Sequence, residues 1–213
     1  VKLEWIAAMS IAVWTSFAVP ASAQTPAFDA CLLFDRAACS AVLSTEPDNL
    51  TALFMRGLAA ELVGDDAAAL ADFDATAARE PRHFGAQLWR HVAAATLGQS
   101  RAAELKSYLA SAKMLGPWPR ALAELYLNQA TPADTLALAG QQPAAARMEA
   151  ICAAEYHSGR VAQLAGDAEA AMAHFRAALA TGARHVFEYQ AADRAINGMP
   201  YASPALATNP HFP

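Results

Sequence analysis

The sequence predicts an all-α chain, an α-solenoid of stacked antiparallel helix pairs with capping helices, and three observations carry that expectation. Chemistry returns every 34 residues: Ala69, Ala103, Ala137 and Ala171 form one series, and Gly64, Gly98, Pro132 and Gly166 another. A fixed period of roughly 20–50 residues marks units that bury one face against the next. Ala dominates a composition that is 55% hydrophobic, and β-branched strand formers are scarce in the body of the chain, which favours helix. Finally, Gly64, Gly166 and Pro81 fall where a helix pair needs a turn and a stop.

Residues 1–23 read as a secretory signal peptide. Lys2 supplies a positive start, Trp5 to Val19 is an apolar run of 15, and Ala21-Ser22-Ala23 matches a small-x-small cleavage site. Fifteen residues fall short of the roughly 20 that span a bilayer. Cleavage is expected after Ala23, giving a periplasmic or secreted chain with no membrane span. The first cysteine, Cys31, follows Phe28-Asp29-Ala30, which lacks the residues of a lipid-attachment box.

Residues 24–49 are expected to form an amino-terminal helical hairpin cap that ends near Pro47. Cys31 and Cys39 lie eight apart across its turn. In an oxidising compartment they are a disulfide candidate, with two small buried thiols as the alternative. Cys152 is left over and is expected to pack as a small apolar group at a helix start.

Four units follow, at 50–83, 84–117, 118–151 and 152–185. In the first, Gly57 faces Ala69 so that two helices approach closely, and Phe73 fills the space beside them. Gly64 closes the first helix, Asp65 caps the second and Pro81 stops it. The last unit repeats this with Gly159, Ala171, Phe175, Gly166 and Asp167. The middle units are degraded yet stay in phase: His91 and Leu125 replace the close-approach Gly, and Ser107 and Gln141 replace the aromatic. Pro132 cannot adopt positive φ, so Thr131-Pro132-Ala133-Asp134 is expected to restart a helix by a capping box. Residues 186–198 read as a carboxy-terminal capping helix closed by Asn197-Gly198, and 199–213 as a disordered tail.

The pattern Leu53, Gly57, Ala60, Gly64, Ala69, Phe73, Thr76 and Pro81 resembles the tetratricopeptide repeat (TPR). Over residues 84–195 the chain further resembles bacterial envelope TPR proteins of the new-lipoprotein-I (NlpI) type. Leu88-Trp89, Trp118-Pro119, Leu125-Tyr126-Leu127 and Phe187-Glu188-Tyr189 carry that likeness. The TPR resemblance implies a partner-binding groove lined by the first helix of each unit. Its positions here are Phe54, Leu58 and Glu61; Leu88 and Val92; Leu122, Tyr126 and Gln129; and Tyr156, Arg160 and Gln163. Such a groove suits an amphipathic helix or extended peptide. The NlpI likeness implies an adaptor that brings envelope proteins together, and the missing lipid-attachment Cys sets this chain apart from that group.

With 15 Lys plus Arg against 20 Asp plus Glu, net charge −5 and no basic cluster, the chain lacks the footprint of a nucleic-acid binder. No GxSxG, P-loop, GxGxxG, HExxH or CxxC occurs. His83 and His185 sit three periods apart, so repetition explains them better than a metal pair does. His157 and Glu155 lie on different faces of one helix. No catalytic residue, metal or cofactor is expected, and the partners are proteins or peptides. The expected function is an exported scaffold or adaptor. The alternative is a structural subunit of an envelope assembly machine for outer-membrane protein insertion, pilus biogenesis or secretion. A hydrolase or redox protein using Cys31 and Cys39 is the reading from a third class.

Overall fold

The computed structural model describes residues 25–197. The expected signal peptide, the 199–213 tail and Gly198 lie outside the described residues. All regular structure among the described residues is helical: eleven α-helices and no strand. The chain divides into two compact units between Leu97 and Gly98.

The first unit holds α1 (Pro26–Cys31), α2 (Arg36–Thr45), α3 (Leu50–Leu62), α4 (Asp66–Arg79) and α5 (Phe84–Thr96). Each begins at a side chain that satisfies an orphan amide. Thr25 caps α1 ahead of Pro26, Asp35 caps α2, Asn49 caps α3 and Asp65 caps α4. His83 caps α5 through Nδ1, which accepts the Ala86 N–H at 3.0 Å. Gly64, at φ +76°, turns the chain from α3 into α4. Cys31 and Cys39 are joined by a disulfide inside a cluster of Phe28, Val42, Leu43, Ala52 and Leu53. That cluster seats the α1–α2 hairpin on α3.

Close approach defines the next hairpin. A Cβ on Gly57 would lie 2.6 Å from Phe73 Cε1, so the ring of α4 rests directly on the backbone of α3. Phe73 is fully buried and stacks obliquely on Phe54 at 5.6 Å and Trp89 at 6.2 Å. Beside them, Arg56 Nε and Nη2 donate to Asp72 Oδ2 and Oδ1 at 2.8 and 2.7 Å, a bidentate pair that fixes the register of α3 on α4.

The second unit holds α6 (Ala102–Ser111), α7 (Pro117–Tyr126), α8 (Pro132–Gly140), α9 (Ala144–Leu164), α10 (Ala168–Ala180) and α11 (Phe187–Asn197). The α9–α10 hairpin repeats the geometry of α3–α4. Gly166 turns at φ +82°, Asp167 caps α10, and a Cβ on Gly159 would lie 2.6 Å from Phe175 Cε1. Thr131 and Asp134 form the capping box at α8. In the turn before it the left-handed residue is Asn128, at φ +54°, a residue whose short polar side chain tolerates that conformation.

The middle of the chain departs from the constant phase. Ala69 and Ala171 are buried, but Ala103 and Ala137 are exposed. Their core places go to Leu105 and Leu109 on α6, two positions later, and to Thr135 and Ala139 on α8, two positions earlier. Local chemistry explains both shifts: α6 starts at Ala102 after the loop Gln99-Ser100-Arg101, and Pro132 sets the start of α8. The boundary expected at 151/152 falls inside α9, a helix of 21 residues. Pro143 ends the preceding turn and starts α9 at Ala144, and no Pro interrupts the run to Leu164. Cys152 consequently sits mid-helix rather than at a helix start.

Candidate functional site

The eleven residues assigned to a groove fall into three states. In the first unit Phe54, Leu58, Glu61, Leu88 and Val92 are all buried. In the second, Leu122, Tyr126, Tyr156 and Arg160 are buried, Gln163 is half-buried and Gln129 is exposed. Small neighbours account for the burial: Ala52, Ala59, Ala60, Ala93, Ala94, Ala121, Ala123 and Ala154 bring helices close, and the larger side chains fill what remains. A partner reaches the nine buried side chains only if helices separate, whereas Gln129 and Gln163 are accessible as the molecule stands.

Beneath those positions the second unit encloses a polar chain that spans three helices. The Tyr126 hydroxyl of α7 and His157 Nδ1 of α9 are 2.8 Å apart. His157 Nε2 lies 3.9 Å from Glu188 Oε1 of α11. Burial pushes His157 down to about 3, helped by the charge of Arg160, because a desolvated imidazole resists protonation. Burial pushes Glu188 up to about 7. Tyr156 packs edge-on against His157 at 5.4 Å and against Phe187 at 6.3 Å. Arg160 Nη1 donates to Gln163 Oε1 at 2.9 Å, which ties an accessible side chain to a buried one.

His174 and His185 have structural partners. His174 Nδ1 lies 2.7 Å from Glu155 Oε2, and His185 Nε2 lies 2.8 Å from Glu149 Oε1. His83 and His185, although three periods apart, therefore differ in role: one caps a helix and the other pairs with a carboxylate. Among the described residues no group of three or more His, Cys, Asp or Glu is placed to hold a metal ion. Burial pushes the Cys152 thiol up to about 12, which suppresses the thiolate that nucleophilic chemistry needs. Cys31 and Cys39 are fully buried in their disulfide.

Among the polar pairs that the sequence does not announce are Arg56–Asp72 and His157–Glu188. A signal existed for the second: the positions 102 residues earlier hold Met55 and Ala86, so acid and base both replace apolar residues of the repeat. The Arg56–Asp72 pair leaves no such trace, because charged residues on adjacent helices are ordinary surface composition. No described helix is long and apolar enough to cross a membrane. Comparison of the chain with protein families and with curated proteins finds no match.

Proposed function

We propose that this chain is an exported TPR-type scaffold that binds protein partners in the bacterial envelope and performs no chemistry of its own. One observation carries the reading. The hairpins α3–α4 and α9–α10, 102 residues apart, share a close-approach Gly, a buried Phe, a left-handed Gly turn and an Asp cap. Repetition of a whole helix pair multiplies contact surface without building a reaction centre. The buried thiol and paired histidines supply no activated nucleophile, and the disulfide accords with an oxidising compartment.

Contact falls to accessible side chains of the repeat, with Gln129 and Gln163 the members of the assigned set available without rearrangement. Tyr126 and Tyr156 are core residues, so their loss lowers stability before it reports on binding. The test is capture of envelope proteins by the purified mature chain, compared with Gln129→Arg. Specific capture that falls at least several-fold in Gln129→Arg, with helicity unchanged, supports the scaffold. Capture of nothing above a bead control removes it, and capture indifferent to Gln129 removes that face.

A further inference from the structure

Among the described residues of the first unit, the exposed large apolar side chains are Leu33, Val63 and Leu97, at 61%, 43% and 38% exposure. Scattered singly, such residues are ordinary surface. These three are not scattered. Leu33 lies in the turn from α1 to α2, Val63 in the turn from α3 to α4, and Leu97 at the end of α5. Each stands directly before a left-handed residue: Phe34 at φ +65°, Gly64 at +76° and Gly98 at +72°. Short turns make neighbouring helices antiparallel. α1, α3 and α5 therefore end on one edge of the unit, and that edge carries all three apolar side chains.

The turns themselves do not require them. A left-handed residue closes a helix through its backbone, whatever precedes it. In the α9–α10 turn the place of Val63 is taken by Ala165, 102 residues later, and Gly166 still turns at φ +82°. Bulky apolar groups left in water at successive turns thus add nothing that the fold needs.

Charge narrows what such an edge accepts. Residues 25–97 hold five Arg and no Lys against ten Asp plus Glu, whereas residues 98–197 hold nine basic and nine acidic residues. The net charge of −5 therefore belongs to the first unit. Four of its five Arg are taken up by carboxylates: Arg36 by Asp65, Arg56 by Asp72, Arg79 by Asp48 and Arg90 by Asp74. Within residues 32–36 and 63–66, Asp35, Asp65 and Asp66 outnumber a single basic residue, Arg36.

We propose that this edge is a docking surface for a protein segment in which apolar and basic side chains alternate. Leu33, Val63 and Leu97 supply the apolar contacts, and Asp35, Asp65 and Asp66 receive the cations. Covering three water-exposed side chains gives affinity. The carboxylates speed encounter and reject acidic competitors. Gln129 and Gln163 belong to the second unit, so this surface stands or falls apart from the contacts proposed there.

Fluorescence anisotropy of a labelled peptide that alternates Leu with Lys tests the surface on the intact chain as isolated from cells. Two counterpart peptides accompany it, one with Glu in place of Lys and one with Ser in place of Leu. Saturable binding of the Leu–Lys peptide alone is expected, weakening as salt rises. Leu33→Ser, Val63→Ser and Leu97→Ser combined are expected to weaken it about tenfold or more. Asp35→Ser with Asp65→Ser keeps both helix caps; it is expected to weaken binding severalfold and to reduce its salt dependence. Met114→Ser, which removes a side chain 97% exposed in the second unit, is expected to change nothing. No saturable binding, equal binding of all three peptides, or an equal loss in Met114→Ser overturns the proposal. So does self-association of the chain that the triple variant abolishes, because a second copy then covers the edge. Should the triple variant lose its helices by circular dichroism, the Asp pair and the peptide series decide.

Discussion

Gly57 shows how little room separates α3 from α4. A Cβ there would sit 2.6 Å from Phe73, a ring with no exposed edge to move into. Gly57→Ala gains about 1 kcal/mol of helix propensity and loses about 1–3 kcal/mol to overpacking. Net destabilisation is expected in chemical denaturation, with the same sign at Gly159→Ala. Gly140→Ala is the control: nothing lies within 4 Å of its Cβ and its φ is ordinary, so a gain of about 0.5–1 kcal/mol is expected. His83 makes a second statement at this scale. Burial holds it down to about 4, so its contribution is complete above 6.5 and is lost as pH falls towards 4. Up to about 3 kcal/mol of stability is therefore expected to vanish over that range. His83→Asn preserves a cap and is expected to flatten that part of the profile. An unchanged profile would show that His83 is solvated.

Among the elements, legibility tracked the density of local signals. Gly64, Asp65 and Pro81 bracket α4, and Gly166, Asp167 and Gly182 bracket α10 102 residues on. The capping box at α8 was equally readable, because Thr131, Pro132 and Asp134 act within one turn. The two-residue shifts of α6 and α8 were not. A run of Ala supports several burial registers almost equally, so Ala103 and Ala137 matched the period in sequence while Leu105 and Ala139 took the core. The length of α9 was hidden for a related reason: Pro143, not the repeat boundary, decides its start. A transferred groove position says which helix a residue is on, not how closely neighbours approach, so the burial of nine of the eleven is legible only in the structure. Phe73→Ala removes the ring that α3, α4 and α5 share, and a loss of about 3–5 kcal/mol is expected. A loss below about 1 kcal/mol would contradict its place between Gly57 and Trp89.

For the whole molecule, the two compact units make separable claims. The disulfide belongs to the first unit alone and closes a short loop, so a dithiol reductant is expected to lower that unit's stability by about 2–3 kcal/mol. Hydrogen exchange in α9 and α10 is expected to stay as it was; loss of protection there as well would mean that the chain folds as one cooperative block. The scaffold reading asks for something further, a partner at the accessible repeat positions. In-cell photo-crosslinking, with the reactive side chain placed in turn at Gln129, Gln163 and the exposed Arg184, tests it most directly. The account expects discrete protein adducts at Gln129 and Gln163 and none at Arg184. Absence of adducts at both glutamines, or the same adducts at all three sites, would contradict it.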